Sequence, residues 1–196
     1  MAEPGYEETG TTREDTMELD LLDLYGRASA WAATKVPGAS AQLGAPSSCD
    51  QWDVRTLMNH MLQTQRYFVG AARGEDVAPP GGVPPDVLSD EPGADFDRAR
   101  AETLQVFGEP GVVERTGPAL GIAFCDQLLH GWDLATSTGQ DTGMPAELPD
   151  AAYSFMYGRF TDEQRPGIFK PEIAIGQDAS GQDKLLAYTG RDPYGR

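Results

Sequence analysis

The sequence predicts an all-α protein, and three observations carry that prediction. Apolar residues recur at helical spacing through four long segments. Stretches rich in proline, glycine and serine separate those segments. Strand-like alternation is confined to residues 172–175, where Pro171 makes a poor start for a strand.

The first helix is expected over about residues 17–35, where Leu19, Leu22, Tyr25, Ala28 (or Ser29) and Ala32 repeat along one face. Thr16 can cap it, and Pro37-Gly38 is expected to stop it. A loop marked by Gly44, Pro46 and Ser47-Ser48 follows. The second helix is expected over 54–73, capped by Asp53 and stopped by Gly74. Val54, Leu57, Met58, Met61, Gln65, Phe68 and Ala72 form its stripe, with His60 at the flank beside Thr64 and Tyr67. Residues 75–93 are too rich in proline for a helix. A connection this long crosses a bundle from end to end or covers a site. A third helix follows over about 94–107, ending near Gly108 and Pro110. The fourth, over 120–138, is the most apolar. Ile122, Ala123, Phe124, Leu128, Leu129, Trp132 and Leu134 cover most of its circumference, so it should be largely buried. Gly139 ends it. Short helices are expected over 149–158 and 180–188, in an otherwise irregular C-terminal region.

The 196 residues suit one domain. The acidic, Gly/Thr-rich residues 1–16 read as a disordered tail, and 17–196 as the folded domain. Fifteen basic against 31 acidic residues leave a formal charge of −16. That surface repels phosphate backbones and anionic lipid, which argues against nucleic-acid and membrane partners. No apolar run approaches the roughly 20 residues that span a bilayer, and the N-terminus lacks a signal-peptide pattern. A soluble cytoplasmic protein is the expectation. Cys49 and Cys125 have no metal or redox spacing. A disulfide and two reduced thiols are both compatible with the sequence. Two reduced thiols are the plainer reading, with Cys125 a small buried side chain.

Both histidines stand where a metal site would use them. Asp126 and His130 are four residues apart and project from one helical face, and Asp133 falls within about 60° of both. A buried helix cannot leave those carboxylates unpartnered. His60 sits at the core edge of an earlier helix. Together His60, Asp126 and His130 could supply three ligands and leave a metal's other positions open, the pattern of catalytic sites. The residues leave three readings in play: ordinary core histidines, a metal that staples helices, and a catalytic metal. Asp133 could orient His130 or pair with Arg55. Trp52 and Trp132 fit core packing better than substrate stacking. Tyr67 and Tyr157 could donate hydrogen bonds at the site. Arg191 could close over an anionic substrate, although a surface salt bridge is the plainer reading.

Three segments carry a family resemblance: residues 49–60 (CDQWDVRTLMNH), 121–135 (GIAFCDQLLHGWDLA) and 182–193 (QDKLLAYTGRDP). With them the chain resembles the DinB/YfiT-like superfamily of metal-binding four-helix bundles, in the branch near the N-terminal domain of mycothiol-dependent maleylpyruvate isomerase. It is similar to an actinobacterial small-protein group there. The resemblance spans roughly residues 19–193. It implies a four-helix bundle with a long crossover and His60, Asp126 and His130 as metal ligands. The isomerase is similar but has glutamate at the middle ligand; Asp126 is one methylene shorter. The isomerase also has a further C-terminal domain, for which no counterpart is expected in these residues. A low-molecular-weight thiol such as mycothiol is therefore implied by the family rather than by these residues.

Two imidazoles and a carboxylate suit zinc first, and nickel, manganese or iron would accept the same donors. Two functions follow. One is a metal-dependent enzyme acting on a small molecule, by thiol-dependent transfer, isomerisation or lysis, or by hydrolysis. The other is a non-catalytic protein that sequesters a small molecule in the bundle. A homodimer is compatible with either.

Overall fold

The computed structural model describes residues 20–49, 51–161, 163–165 and 167–195. The tail expected over 1–16 and the Thr16 cap lie outside them. Among the described residues there are eight helices and no strand. They are α1 (Leu21–Ala33), α2 (Val36–Ser40), α3 (Val54–Ala72), α4 (Pro92–Phe107), α5 (Val112–Thr116), α6 (Ala119–Ser137), α7 (Leu148–Met156) and α8 (Gly181–Tyr188). None is long and apolar enough to cross a membrane.

The four long helices close into a ring, α1 beside α6, α6 beside α3, α3 beside α4 and α4 back against α1. Each buries an apolar stripe in the centre, which is why a four-helix bundle results. α6 contributes Leu120, Phe124, Leu128 and Leu134, all fully buried, and α3 contributes Leu57, Met58, Met61 and Leu62. At the α1–α6 crossing, Gly131 lets the helices approach closely. A Cβ added there would stand 2.8 Å from the Trp31 ring and 3.0 Å from the Ala32 methyl.

Local signals explain the helix ends. The Asp53 carboxylate accepts from the Thr56 amide at 2.8 Å and opens α3, as its position predicts. Asp20 supplies the side-chain cap of α1, accepting from the amides of Leu22 and Asp23. The helix expected over 17–35 stops at Ala33. Pro37 does not simply stop it. It lies in the first turn of α2, where a missing N–H costs nothing. The five-residue helix α5 was not anticipated from the sequence, being shorter than helical periodicity resolves. The alternation at 172–175 forms no strand; Ile173 makes one backbone bond, to the Ala187 carbonyl.

The long connection after α3 is pinned to it. The Asn59 side-chain carbonyl accepts from the amides of Val87 and Leu88, and its amide donates to Asp86. Arg55 holds Asp86 as well, at 3.0 Å. At the other end of the chain, α7 and α8 pack together, with Tyr188 Oη donating to the Met156 carbonyl. α8 ends in a Schellman turn. The Gly190 amide donates to Ala187 and the Arg191 amide to Leu186. Gly190 takes φ 74°, and a Cβ there would meet the Lys170 backbone at 2.7 Å. This turn aims Arg191 back at α6.

Candidate metal centre

α3 and α6 cross so that His60 meets Asp126 and His130. The Asp126 Oδ1 lies 3.3 Å from His60 Nε2 and 3.6 Å from His130 Nε2. The two imidazoles stand edge to face, with centroids 4.8 Å apart. All three donor atoms fall within 4.8 Å of one another, close enough for one ion to take all three. Their side chains are 14–18% exposed, so the cluster is recessed but not sealed from solvent. Despite the shorter side chain, Asp126 reaches both imidazoles.

The charges are mutually supporting. Burial works to raise the Asp126 carboxyl, but the His60 hydrogen bond and the two imidazoles outweigh it and hold the group below the usual carboxylate range. Burial works to lower His60, but the hydrogen bond and negative charge of Asp126 win and raise it. Thr64 Oγ1 donates to the His60 carbonyl at 3.0 Å. The buried Gln127 donates to Asp126 Oδ2 at 3.3 Å and to the Met61 carbonyl at 3.4 Å. Its Oε1 has no hydrogen-bond partner among the described residues.

Behind the cluster stands Asp133. Its Oδ2 faces His130 Nδ1 at 2.8 Å, an arrangement that fixes the ring and points Nε2 towards Asp126. The same carboxylate accepts Arg191 Nε at 2.9 Å, Arg191 Nη2 at 2.7 Å and Ser48 Oγ at 2.9 Å. Burial would raise it, yet the guanidinium charge and the His130 bond hold it far below the ordinary range. Asp133 therefore orients His130, the first of the two roles its spacing suggests. It does not pair with Arg55, which is bound to Asp86. Arg191 makes a buried bidentate pair with Asp133 rather than a surface bridge, so its guanidinium is committed inside the fold.

Cys49 is the neighbour that sequence spacing did not reveal. Its Sγ lies 4.0 Å from His130 Nδ1 and 3.6 Å from Asp133 Oδ2. Cys49, His130 and Asp133 form a second cluster with metal-compatible spacing. A metal there would compete with Arg191 Nη2 for Asp133 Oδ2. Burial and then the Asp133 charge push the thiol up to about 12, so it stays protonated and donates. The second cluster is a hydrogen-bonded support for the first. Both cysteines are free, and Cys125 is buried.

The turn after Cys49, with Gln51 at φ 67°, brings Trp52 against His60 at 5.1 Å between ring centroids. Trp52 thus packs on the core and walls the site together, whereas Trp132 is a core residue. Tyr67 lies two turns along α3 from His60, next to Phe68. Tyr157 is 62% exposed and packs on Tyr153 and Tyr188, outside the cluster.

A family model described as the mycothiol maleylpyruvate isomerase N-terminal domain matches residues 26–135, a span that contains all three clustered donors. Two uncharacterized proteins of Mycobacterium tuberculosis, from strains CDC 1551 and H37Rv, are each 29% identical over 188 residues. The match covers 88% of this chain and 98% of each relative. No solved structure gives a significant match.

Proposed function

Since the chain belongs to the mycothiol maleylpyruvate isomerase N-terminal domain family, we propose that it is a divalent-metal protein acting on a small organic molecule. The carrying observation is the convergence of His60 Nε2, His130 Nε2 and Asp126 Oδ1 within bonding reach of one ion. The donor set fits zinc first, with nickel, manganese or iron accepting the same ligands. A bound metal of this kind would supply Lewis acidity, able to activate a thiol, water or carbonyl.

The chain's own residues do the rest. Asp133 holds the His130 tautomer, Arg191 holds Asp133, and Trp52 with the recessed setting limits water at His60. Thiol-dependent transfer or isomerisation is the leading reaction class. The thiol, mycothiol by family, belongs to this proposal, as does the reading of residues 17–196 as one domain behind an acidic tail.

Elemental analysis and zinc titration of the purified protein test it. Close to one zinc per chain is expected, lost in His130→Ala, together with metal-dependent thiol consumption. A protein that holds no stoichiometric metal, and whose His130→Ala variant binds as much as wild type, would sink the reading. Metal binding without any turnover would instead favour a protein that sequesters its ligand.

A further inference from the structure

The exposure pattern of α6 marks a path leading away from the metal centre. From Ala119 to Ala135, every residue of α6 is buried except Ala119, Ile122, Asp126 and His130. Their spacing of three, four and four places them in one stripe. Two of the four are the proposed ligands. Ile122 is 43% exposed, an open isoleucine on a helix otherwise hidden. On α3, His60, Gln63, Tyr67 and Ala71 share one face and are likewise not buried.

The two helices run antiparallel. Gln127 bonds the Met61 carbonyl near the centre, and Tyr67, Ala72 and Ala119 line one depression at the far end. Tyr67 lies seven residues beyond His60, and Ala119 seven before Asp126. Both therefore sit two turns, about 10 Å, along the helix axes from the cluster. There a depression of about 440 Å³ opens, lined in part by Tyr67, Phe68, Arg115, Thr116 and Ala119. That volume is in the range of small-molecule sites.

The charge at this end is informative. Arg73 is engaged by Glu102 at 2.8 Å. Arg115 donates to the carbonyls of Gly111 and Ala72, and no carboxylate of the described residues pairs with it. In a chain with 31 acidic and 15 basic residues, a cation left without a carboxylate beside a cavity is available to an incoming anion.

We propose that this groove binds an elongated organic anion. Its reactive end lies at His60, Asp126 and His130, its apolar middle over Ile122, and its carboxylate at Arg115. The reactive end rests on the metal reading above; the groove and the anion subsite do not.

The test uses the full chain and ω-mercaptocarboxylates of graded length. In the zinc-loaded protein, 11-mercaptoundecanoate should bind at least ten-fold tighter than 3-mercaptopropionate or the long acid's methyl ester. Arg115→Gln should abolish that advantage, and Arg115→Lys should retain part of it. Ile122→Asp should weaken the long acid and leave the short one unchanged. In metal-free protein, the Ile122 and Ala119 methyl resonances should shift with the long acid. Equal affinities for long and short acids, or an unchanged ratio in Arg115→Gln, would overturn the groove. So would silent methyl resonances. Failure of zinc to bind overturns the metal reading instead, and the methyl shifts then still decide the groove.

Discussion

Replacing Arg191 with glutamine probes the support behind the metal centre. Asp133 is 1% exposed and takes two charge-assisted bonds from Arg191, at 2.9 and 2.7 Å. Removing one partner of a buried ion pair costs about 3–5 kcal/mol, because the remaining charge stays buried. Here Ser48 and His130 still face the carboxylate, and the Arg191 side chain is itself 15% exposed. The lower end therefore applies, about 3 kcal/mol, a large share of an ordinary domain's stability. Urea unfolding at pH 7 measures the loss. A cycle with Asp133→Asn isolates the pairwise part, since the double variant no longer buries a lone anion.

The pH dependence gives a second readout. In the wild type Asp133 titrates far below its unfolded value of about 3.9. Its contribution is therefore fully present above that value and fades only as pH falls beneath it. Without Arg191, burial dominates and the folded-state carboxyl rises. Once it passes the unfolded value the sign reverses, and lowering the pH then relieves the variant. The stability gap should be widest near neutral pH and narrow towards pH 4. A gap under about 1 kcal/mol at pH 7, well short of the buried-pair cost, would refute the reasoning. So would one that stays constant from pH 7 to 4.

Other perturbations test other links. Asp53→Ala removes the α3 cap and should cost about 1 kcal/mol by urea unfolding, with little change in zinc stoichiometry. Gly131→Ala pushes a methyl against Trp31 and Ala32. An overpacking cost of roughly 1–3 kcal/mol exceeds the helix-propensity gain, so the melting temperature should fall. Gly190→Ala forces a side chain into φ 74° and against Lys170. It should cost at least about 1–2 kcal/mol and also weaken zinc binding by displacing Arg191. Zinc must displace the proton that Asp126 helps His60 retain. Affinity measured by chelator competition should therefore fall steeply as pH drops from 8 to 6, and a flat profile would contradict direct ligation by His60.

What was legible in the sequence follows the range over which each interaction acts. α3 begins where Asp53 caps it, and α6 begins and ends within a residue of expectation, because caps and periodicity act over one or two turns. The four-residue step from Asp126 to His130 and the three-residue step on to Asp133 are also local, so their shared face could be read directly. His60 joins them across 66 residues, a separation at which the residues alone leave the meeting open and the family resemblance implies the same three ligands. The partner of Asp133 shows the same limit. Sequence offered Arg55 on the neighbouring helix, but Asp86 in the crossover captures it. Arg191, 58 residues from Asp133, arrives instead through the Schellman turn at Gly190. Cys49 was missed for a related reason, since the loop that carries it has no period to reveal which way it points. The apolar circumference of α6 foretold its burial, and Ile122 was counted among the residues that cause it. In the fold, Ile122 is the one of those seven residues on which burial fails. Because it lies in line with Asp126 and His130, that one exception extends the candidate metal centre into the proposed groove.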